Sequence, residues 1–392
     1  MLRPLLLAPL AALALATGAT AQDAPAPPPP VEVVATDPPA AQWYASADAL
    51  WLARDYPTNT LLAQTVNANA STMFRAVPIP GAPVLTLGGV SDTAAQPGLR
   101  ATVGFRVADR TSFELGYFGL QQWTGSASIF GQDPPFVNSP YMGSAIIYGN
   151  KSFDTSMTAR YASQIHSAEV NLRRAFDLGN WTGSALGGFR YFNLSEQFSL
   201  TGMQTFPNVP EGAPPASQTI REQTRVTADN NLFGAQIGAE VGRAFLNDRV
   251  SLAVNGRAGI FANSANQFTA NGASLPDGSG TSVLAAGRGR TDVAGLYEGG
   301  VATTVRVTSR VTVRAGYQVL FVQGLALAPT QLAQTGTAIR DSFVFVPGSY
   351  VPRDFTLPLP ATKLPAPGTG SGLDTSGNLL LHGPFVGLGV SY

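Results

Sequence analysis

The sequence predicts an all-β protein, a transmembrane antiparallel up-and-down β-barrel of about ten strands. Three observations predict it. Apolar residues recur at every second position in segment after segment, the period of a strand. Short turns alternate with long Gly/Pro-rich connections, the layout of barrels with short periplasmic turns and long extracellular loops. Only 12% of the 392 residues are charged while 44% are hydrophobic. A soluble domain needs about twice that share of charge at its surface; a wall facing lipid does not.

The chain opens on a secretory signal. Arg3 supplies the basic start, Leu5 to Leu15 an apolar run broken by Pro9, and Ala19-Thr20-Ala21 a small-x-small cleavage site. Residues 1–21 are therefore expected to be removed, leaving Gln22 first. The apolar run is shorter than the ~20 helical residues that span a bilayer, and no later segment supplies them. Residues 22–40, with Pro27 through Pro30, read as an extended periplasmic linker. Residues 41–392 are the expected barrel.

Trp43 to Arg54 is the first strand. In Pro97 to Val107, Leu99, Val103, Phe105 and Val107 share one face and Arg100, Thr102 and Arg106 the other; a turn at Ala108-Asp109-Arg110 leads to Phe113, Leu115 and Tyr117, opposed to Glu114. The unit recurs three times. Ala168, Val170 and Leu172 oppose Glu169 and Arg173, then Trp181, Ala185, Phe189 and Tyr191 oppose Arg190. Phe233, Ile237 and Val241 oppose Glu240, then Leu252 and Val254 oppose Arg257. Tyr297, Val301 and Val305 oppose Glu298 and Arg306, then Val311, Val313, Tyr317 and Val319 oppose Arg314. Leu379 to Tyr392 closes the set. Turns near 109, 178, 247 and 309 are short, whereas the connections near 56–96, 125–156, 194–226, 264–291 and 325–377 are long. An even count puts both chain ends on the periplasmic side. Twelve strands would follow if a long connection hid a hairpin, for example around Val84 to Val90.

Arg100, Arg106, Glu114, Glu169, Arg173, Arg190, Glu240, Arg257, Glu298, Arg306 and Arg314 all oppose the apolar face. A charge on the lipid face costs ~2–4 kcal/mol at the midplane, so these eleven are the candidate lumen-lining residues. A secreted β-sandwich also alternates, but it has no need of the long-short rhythm. Trp43, Trp181 and Tyr392 fit a periplasmic aromatic girdle, and Trp51, Trp123 and Phe321 an outer one. One stretch breaks the pattern: Tyr161 and Ile165 are apolar at odd positions, Ala168 to Leu172 at even ones. A β-bulge near His166 would reconcile them.

Zero net charge gives no support for a nucleic-acid partner, and the lack of cysteine excludes disulfides and thiolate metal sites. Phosphate loops, zinc motifs and nucleophile elbows are absent, so no cofactor, metal or catalytic residue is expected. The two histidines are His166 and His382; His382 with Asp374 could be weighed as a rim protease site, but the pair reads as interface and loop residues. Gly287-Arg288-Gly289-Arg290 reads as a loop entering a strand, and Asp277-Gly278-Ser279-Gly280 as a turn too short for calcium.

Several blocks resemble a known family. They are Leu186-Gly187-Gly188-Phe189-Arg190-Tyr191-Phe192 with Glu196, Asn231-Leu232-Phe233-Gly234-Ala235-Gln236-Ile237-Gly238, and Ala315-Gly316-Tyr317 with Gly324-Leu325-Ala326-Leu327-Ala328-Pro329. Phe118 to Trp123 and Leu381-His382-Gly383 are similar too. Together they resemble the putative beta-barrel porin seven family, found mainly in planctomycetes. The resemblance spans about residues 42–392 and implies outer-membrane location and a porin-like role, with no catalytic residues. The expected partners are outer-membrane lipid and the barrel-assembly machinery. Two functions remain open from sequence: a passive conduit for small polar solutes, and a closed structural or adhesive barrel acting through its long loops. Ten strands enclose a narrow interior, which side chains can fill or line.

Overall fold

The computed structural model describes residues 43–55, 60–67, 79–90, 94–131, 136–139, 154–206, 218–274, 282–332 and 372–392. The expected signal, its cleavage site and the proline-rich linker lie outside the described residues.

The elements in chain order are β1 (Trp43–Asp55), β2 (Leu61–Asn67), β3 (Ile79–Thr86), α1 (Leu87–Val90), β4 (Gln96–Ala108), β5 (Thr111–Gly131), β6 (Phe136–Asn138), β7 (Asp154–Leu178), β8 (Trp181–Phe206), β9 (Gln218–Phe245), β10 (Val250–Ser274), β11 (Ser282–Arg306), β12 (Val311–Leu325) and β13 (Gly377–Ser391). Ten of these strands pair antiparallel in a closed ring, β1-β13-β12-β11-β10-β9-β8-β7-β5-β4. The ring closes where the chain ends meet. Trp43 and Tyr392 exchange backbone hydrogen bonds of 3.1 and 2.9 Å, and their rings stack with centroids 5.1 Å apart. Within the ring every strand has a partner on both sides, as a hydrocarbon surround requires; beyond it, residues 120–131 of β5 and 282–294 of β11 pair on one side alone among the described residues.

The ten-strand count is thus correct and the twelve-strand alternative is not. The hairpin suspected around Val84–Val90 falls in β3 and α1, and β3-β2-β6 form a separate small sheet that is not part of the ring, its buried Leu62, Ala63 and Leu85 sharing the core of the inward residues. The short turns stand where expected. Arg110, Gly179 and the run Leu246-Asn247-Asp248 have the positive φ that such tight reversals need.

The connections, by contrast, are shorter than the sequence suggests, because the strands run on. β8 has 26 residues and β9 has 28, with only 207–217 between them. A tilted strand needs ~9–11 residues to cross a bilayer. The wall therefore projects far beyond the membrane at the end opposite the short turns.

The projecting part reverses the polarity of the wall without a break in register. On β8, Trp181, Ala185 and Phe189 point outward and are exposed, whereas Phe192, Leu194, Phe198 and Leu200 point inward and are fully buried. The register of β8 with β7 and β9 runs unbroken through both stretches. β9 does the same in the opposite direction: Leu232, Ala228 and Val226 are buried inside, while Phe233 and Ile237 are exposed outside. Within the bilayer the apolar face must meet lipid. Beyond it the outer face meets water, so the apolar face turns to the interior.

This corrects the reading of β7. No bulge interrupts β7 at His166; odd residues face inward throughout, and Tyr161 and Ile165 are buried because they lie in the projecting part. The bulge sits on the neighbouring strand, between Gly119 and Gln122 of β5 opposite His166 and Gln164, with Leu120 at φ 74°. The extra residue swaps the faces of β5 beyond it. Trp123 is consequently no girdle residue. It is fully buried, and its Nε1 donates to the Leu52 carbonyl at 3.3 Å.

Candidate functional site: the barrel lumen

Four levels of inward side chains fill the barrel from the short-turn end outward. At the first, the Arg173 guanidinium donates to Glu114 at 2.7 Å and to the Ser184 hydroxyl at 2.7 Å, with Glu240 at 4.0 Å. Tyr44 donates its hydroxyl hydrogen to the same Glu114. Arg314 grips Asp48 in a fork, one arm being Nε to Oδ1 at 2.6 Å and the other Nη2 to Oδ2. Such bidentate pairs hold their geometry better than point charges.

The second level spans the barrel. Glu298 accepts from Arg100 and Arg190, each at 3.0 Å. Glu169 accepts from Arg257 at 2.7 Å and from the Gln236 amide at 2.8 Å, and lies 4.0 Å from Arg190. Arg100 also reaches Gln318. The strands supply these groups from all sides, β4, β7, β8, β10 and β11 contributing one charge each. The space left among them is a cavity of about 10 Å3, room for about one water.

The third level is apolar, built from Leu50, Phe118, Phe192, Leu296, Leu320 and Phe385. The fourth is a latch. Gly324, at φ +85° and too close to the Val293 carbonyl to carry a Cβ, turns the chain inward at the end of β12. Residues 325–329 are then buried inside the barrel. Their backbone groups cannot reach water, so side chains of the wall satisfy them. The Asn230 amide pairs with the Ala326 peptide group, accepting from N–H at 2.7 Å and donating to C=O at 2.8 Å. Asn263 donates to the Gly324 carbonyl at 2.8 Å and to Asn230 at 3.0 Å. Glu196 accepts from the Ala328 N–H at 2.8 Å and from the Tyr161 hydroxyl at 2.5 Å, and is ion-paired with buried Arg54.

Of the eleven residues singled out from sequence, nine belong to the first two levels. Arg106 and Arg306 do not: both are exposed at the short-turn rim. Asp48 was missed, although its position opposite Trp43 and Trp51 on β1 was a readable signal. Arg54, Asn230 and Asn263 were missed because they lie where the wall's polarity is reversed. Glu196 stood among the resemblance blocks with no role, and the structure brings it to another of those blocks, Gly324 to Pro329.

The histidines sit on the outer surface. The Tyr117 hydroxyl lies 2.8 Å from His166 Nδ1, and the Tyr317 hydroxyl 2.5 Å from His382 Nδ1. Asp374 is not paired with His382; its Oδ1 accepts from the Ser376 N–H.

A family model described as Putative beta barrel porin-7 matches residues 44–343. A search of curated proteins finds no match. Similar solved structures include the outer-membrane protease OmpT of Escherichia coli, at 9% identity, 89% of this chain and 96% of that chain covered, and a TM-score of 0.33. A FadL homologue of Pseudomonas aeruginosa has 12% identity, 89% of each chain covered and a TM-score of 0.21. The toluene transporter TbuX of Ralstonia pickettii has 9% identity, 90% of each chain covered and a TM-score of 0.21. At such scores neither the protease nor the transporters lend this chain an activity.

Proposed function

We propose, from the premise that this chain belongs to the beta-barrel porin-7 family, that it is an outer-membrane barrel with a closed lumen, acting through its projecting wall and outer connections rather than as an open pore. In this reading the short turns face the periplasm and the protein has no catalytic step of its own. The observation that carries it is the filling of the lumen at successive levels. Paired charges leave a cavity of only about 10 Å3 at mid-barrel, and the chain's own residues 325–329 occupy the level beyond the apolar layer. An open channel is usual at ~16 strands, and a ring of ten encloses far less space.

The porin family itself favours a second reading, a passive conduit for small polar solutes. It requires the latch to leave and the charge network to part, so that its nine inward residues singled out from sequence would line the path. Single-channel recording on the full-length barrel in a planar bilayer separates the two. No conductance steps are expected. Regular ohmic steps from the unmodified protein would overturn the closed reading and establish the conduit.

A further inference from the structure

The outward face of the projecting wall carries an open groove of about 550 Å3, lined by Arg160, Gln197, Ser199, Gln223 and Arg225 among others. The strand register builds it. One lateral row runs Ser126–Arg160–Ser199–Arg225 across β5, β7, β8 and β9. The row on one side is Thr124–Ala162–Gln197–Thr227, and on the other Ser128–Thr158–Thr201–Gln223. Small residues form the floor, and the long side chains of Arg160, Arg225, Gln197 and Gln223 form the walls. Arg160 and Arg225 stand two strands apart, ~9.6 Å at the usual spacing, with a serine between them.

The chemistry of the groove is one-sided. None of the three rows holds a carboxylate. The Asp229 side chain, in the next row toward the membrane, is engaged by the Ser195 hydroxyl at 2.5 Å. Arg225 donates to the Gln197 carbonyl oxygen at 2.6 Å, which holds its guanidinium over the groove. Neither Arg160 nor Arg225 has an ion-pair partner among the described residues. This differs from every inward arginine of the lumen's charge network, each of which faces a carboxylate. Two uncompensated guanidinium forks flanked by hydroxyls and carboxamides are a donor set for an anionic group carried on a polyol.

Position narrows the ligand class. On β8 the outward apolar stretch ends at half-buried Tyr191, and Ser199 lies eight residues beyond. At ~3.3 Å per residue and ~40° tilt, the groove stands ~20 Å above the girdle, out of reach of acyl chains. It faces away from the lumen, so a solute in transit does not meet it.

The geometry points to a binding site for an anionic saccharide, a sugar bearing phosphate or carboxylate, held between Arg160 and Arg225 on the outer face of the projecting wall. This deepens the reading that the wall is the working part and rests on it for the compartment alone; binding and conductance are separate measurements, so either can fail without the other.

The test uses the full-length barrel in detergent, with a 1,4′-bisphosphorylated glucosamine disaccharide as probe and calorimetry as readout. The unmodified barrel is expected to bind it, and the unphosphorylated disaccharide is not. Arg160→Gln with Arg225→Gln is expected to weaken binding roughly tenfold or more, since each charge-assisted bond contributes about that factor. Both side chains are exposed, and unchanged heat-modified gel migration checks that the variant is folded. A second arm measures phosphate co-purifying with the two proteins. A lower content in the variant assigns the saccharide to the outer, phosphate-bearing sugars of a membrane glycolipid, remote from its acyl chains; equal content with weakened disaccharide binding assigns it to a soluble glycan, and both keep the site. No binding by the unmodified barrel, equal binding by the variant, or equal binding of the uncharged disaccharide would overturn it.

Discussion

The Glu196 carboxylate accepts a hydrogen bond from the backbone N–H of Ala328 at 2.8 Å, across 132 positions of sequence. The same carboxylate is ion-paired with Arg54 of β1, so one buried side chain joins the wall, the first strand and the segment that enters the lumen. Removing one member of a buried pair leaves an uncompensated charge, at a cost of ~3–5 kcal/mol. Glu196→Ala is therefore expected to lower the temperature at which the compact gel band is lost. Glu196→Gln, which keeps the shape and one acceptor, is expected to lower it less. Equal behaviour of both variants and the parent would show that the latch contributes nothing.

The mid-barrel charges make an opposing pair of predictions. Arg190→Glu with Arg257→Glu places new carboxylates where the guanidinium groups now lie 3.0 Å from Glu298 and 2.7 Å from Glu169. Like charges in a closed lumen are expected to destabilise the barrel by several kcal/mol. Replacing both members of one pair, Arg257→Met with Glu169→Leu, is expected to be near neutral, because Gln236 retains Asn171 at 2.8 Å and Arg190 retains Glu298. Urea unfolding of the lipid-embedded protein measures both. A stable reversal variant that conducts with altered ion selectivity would instead mark a wet pore.

Arginine scanning tests the reversal of polarity along the wall. Phe189→Arg, on the lipid side, is expected to cost ~2–4 kcal/mol. Phe198→Arg, inside the projecting wall, places a charge in the apolar core and is expected to cost at least as much. Asn266→Arg, exposed on the outer face beyond the lipid band, is expected to change stability by no more than ~0.5 kcal/mol. If Phe198→Arg were tolerated as Asn266→Arg is, the projecting wall would have no apolar interior.

Orientation is tested by tags. Insertions near Gly212 and Gly278, in the connections 207–217 and 275–281, are expected to be labelled on intact cells. An insertion at Asp248, in the four-residue turn 246–249 between β9 and β10, is expected to stay unlabelled until the cells are opened. The opposite pattern would invert the barrel.

Much of this architecture is legible in the chain. Period-two alternation and the tight turns near 109, 178, 247 and 309 mark out the ten strands that the ring contains. The faces carrying Arg100, Glu169, Arg190, Arg257 and Glu298 follow from parity alone. The resemblance blocks, strand pieces together with the segment Gly324 to Pro329 that enters the lumen, point to the family whose model matches residues 44–343. Strand length was less legible: Leu194 to Val226 reads as a long loop when alternation is sought with a single polarity. The misplaced bulge has the same origin, whereas Trp123 was misassigned because the bulge on β5 turns odd residues inward beyond Gly119.

Alternation tells which residues of a strand share a face, because successive side chains must point opposite ways. It cannot tell what that face meets. Lipid selects apolar residues outside, water selects them inside, and the change from one to the other depends on height along the barrel axis, which no local pattern records. Cross-lumen partners are equally hidden. Arg100 meets Glu298 across 198 positions, and Arg314 meets Asp48 across 266. The sequence by itself determined the strands, the turns and the shared faces. Only the closed ring, whose register sets which levels come opposite one another, decided that the inward charges pair and that the chain's own segment fills the space above them.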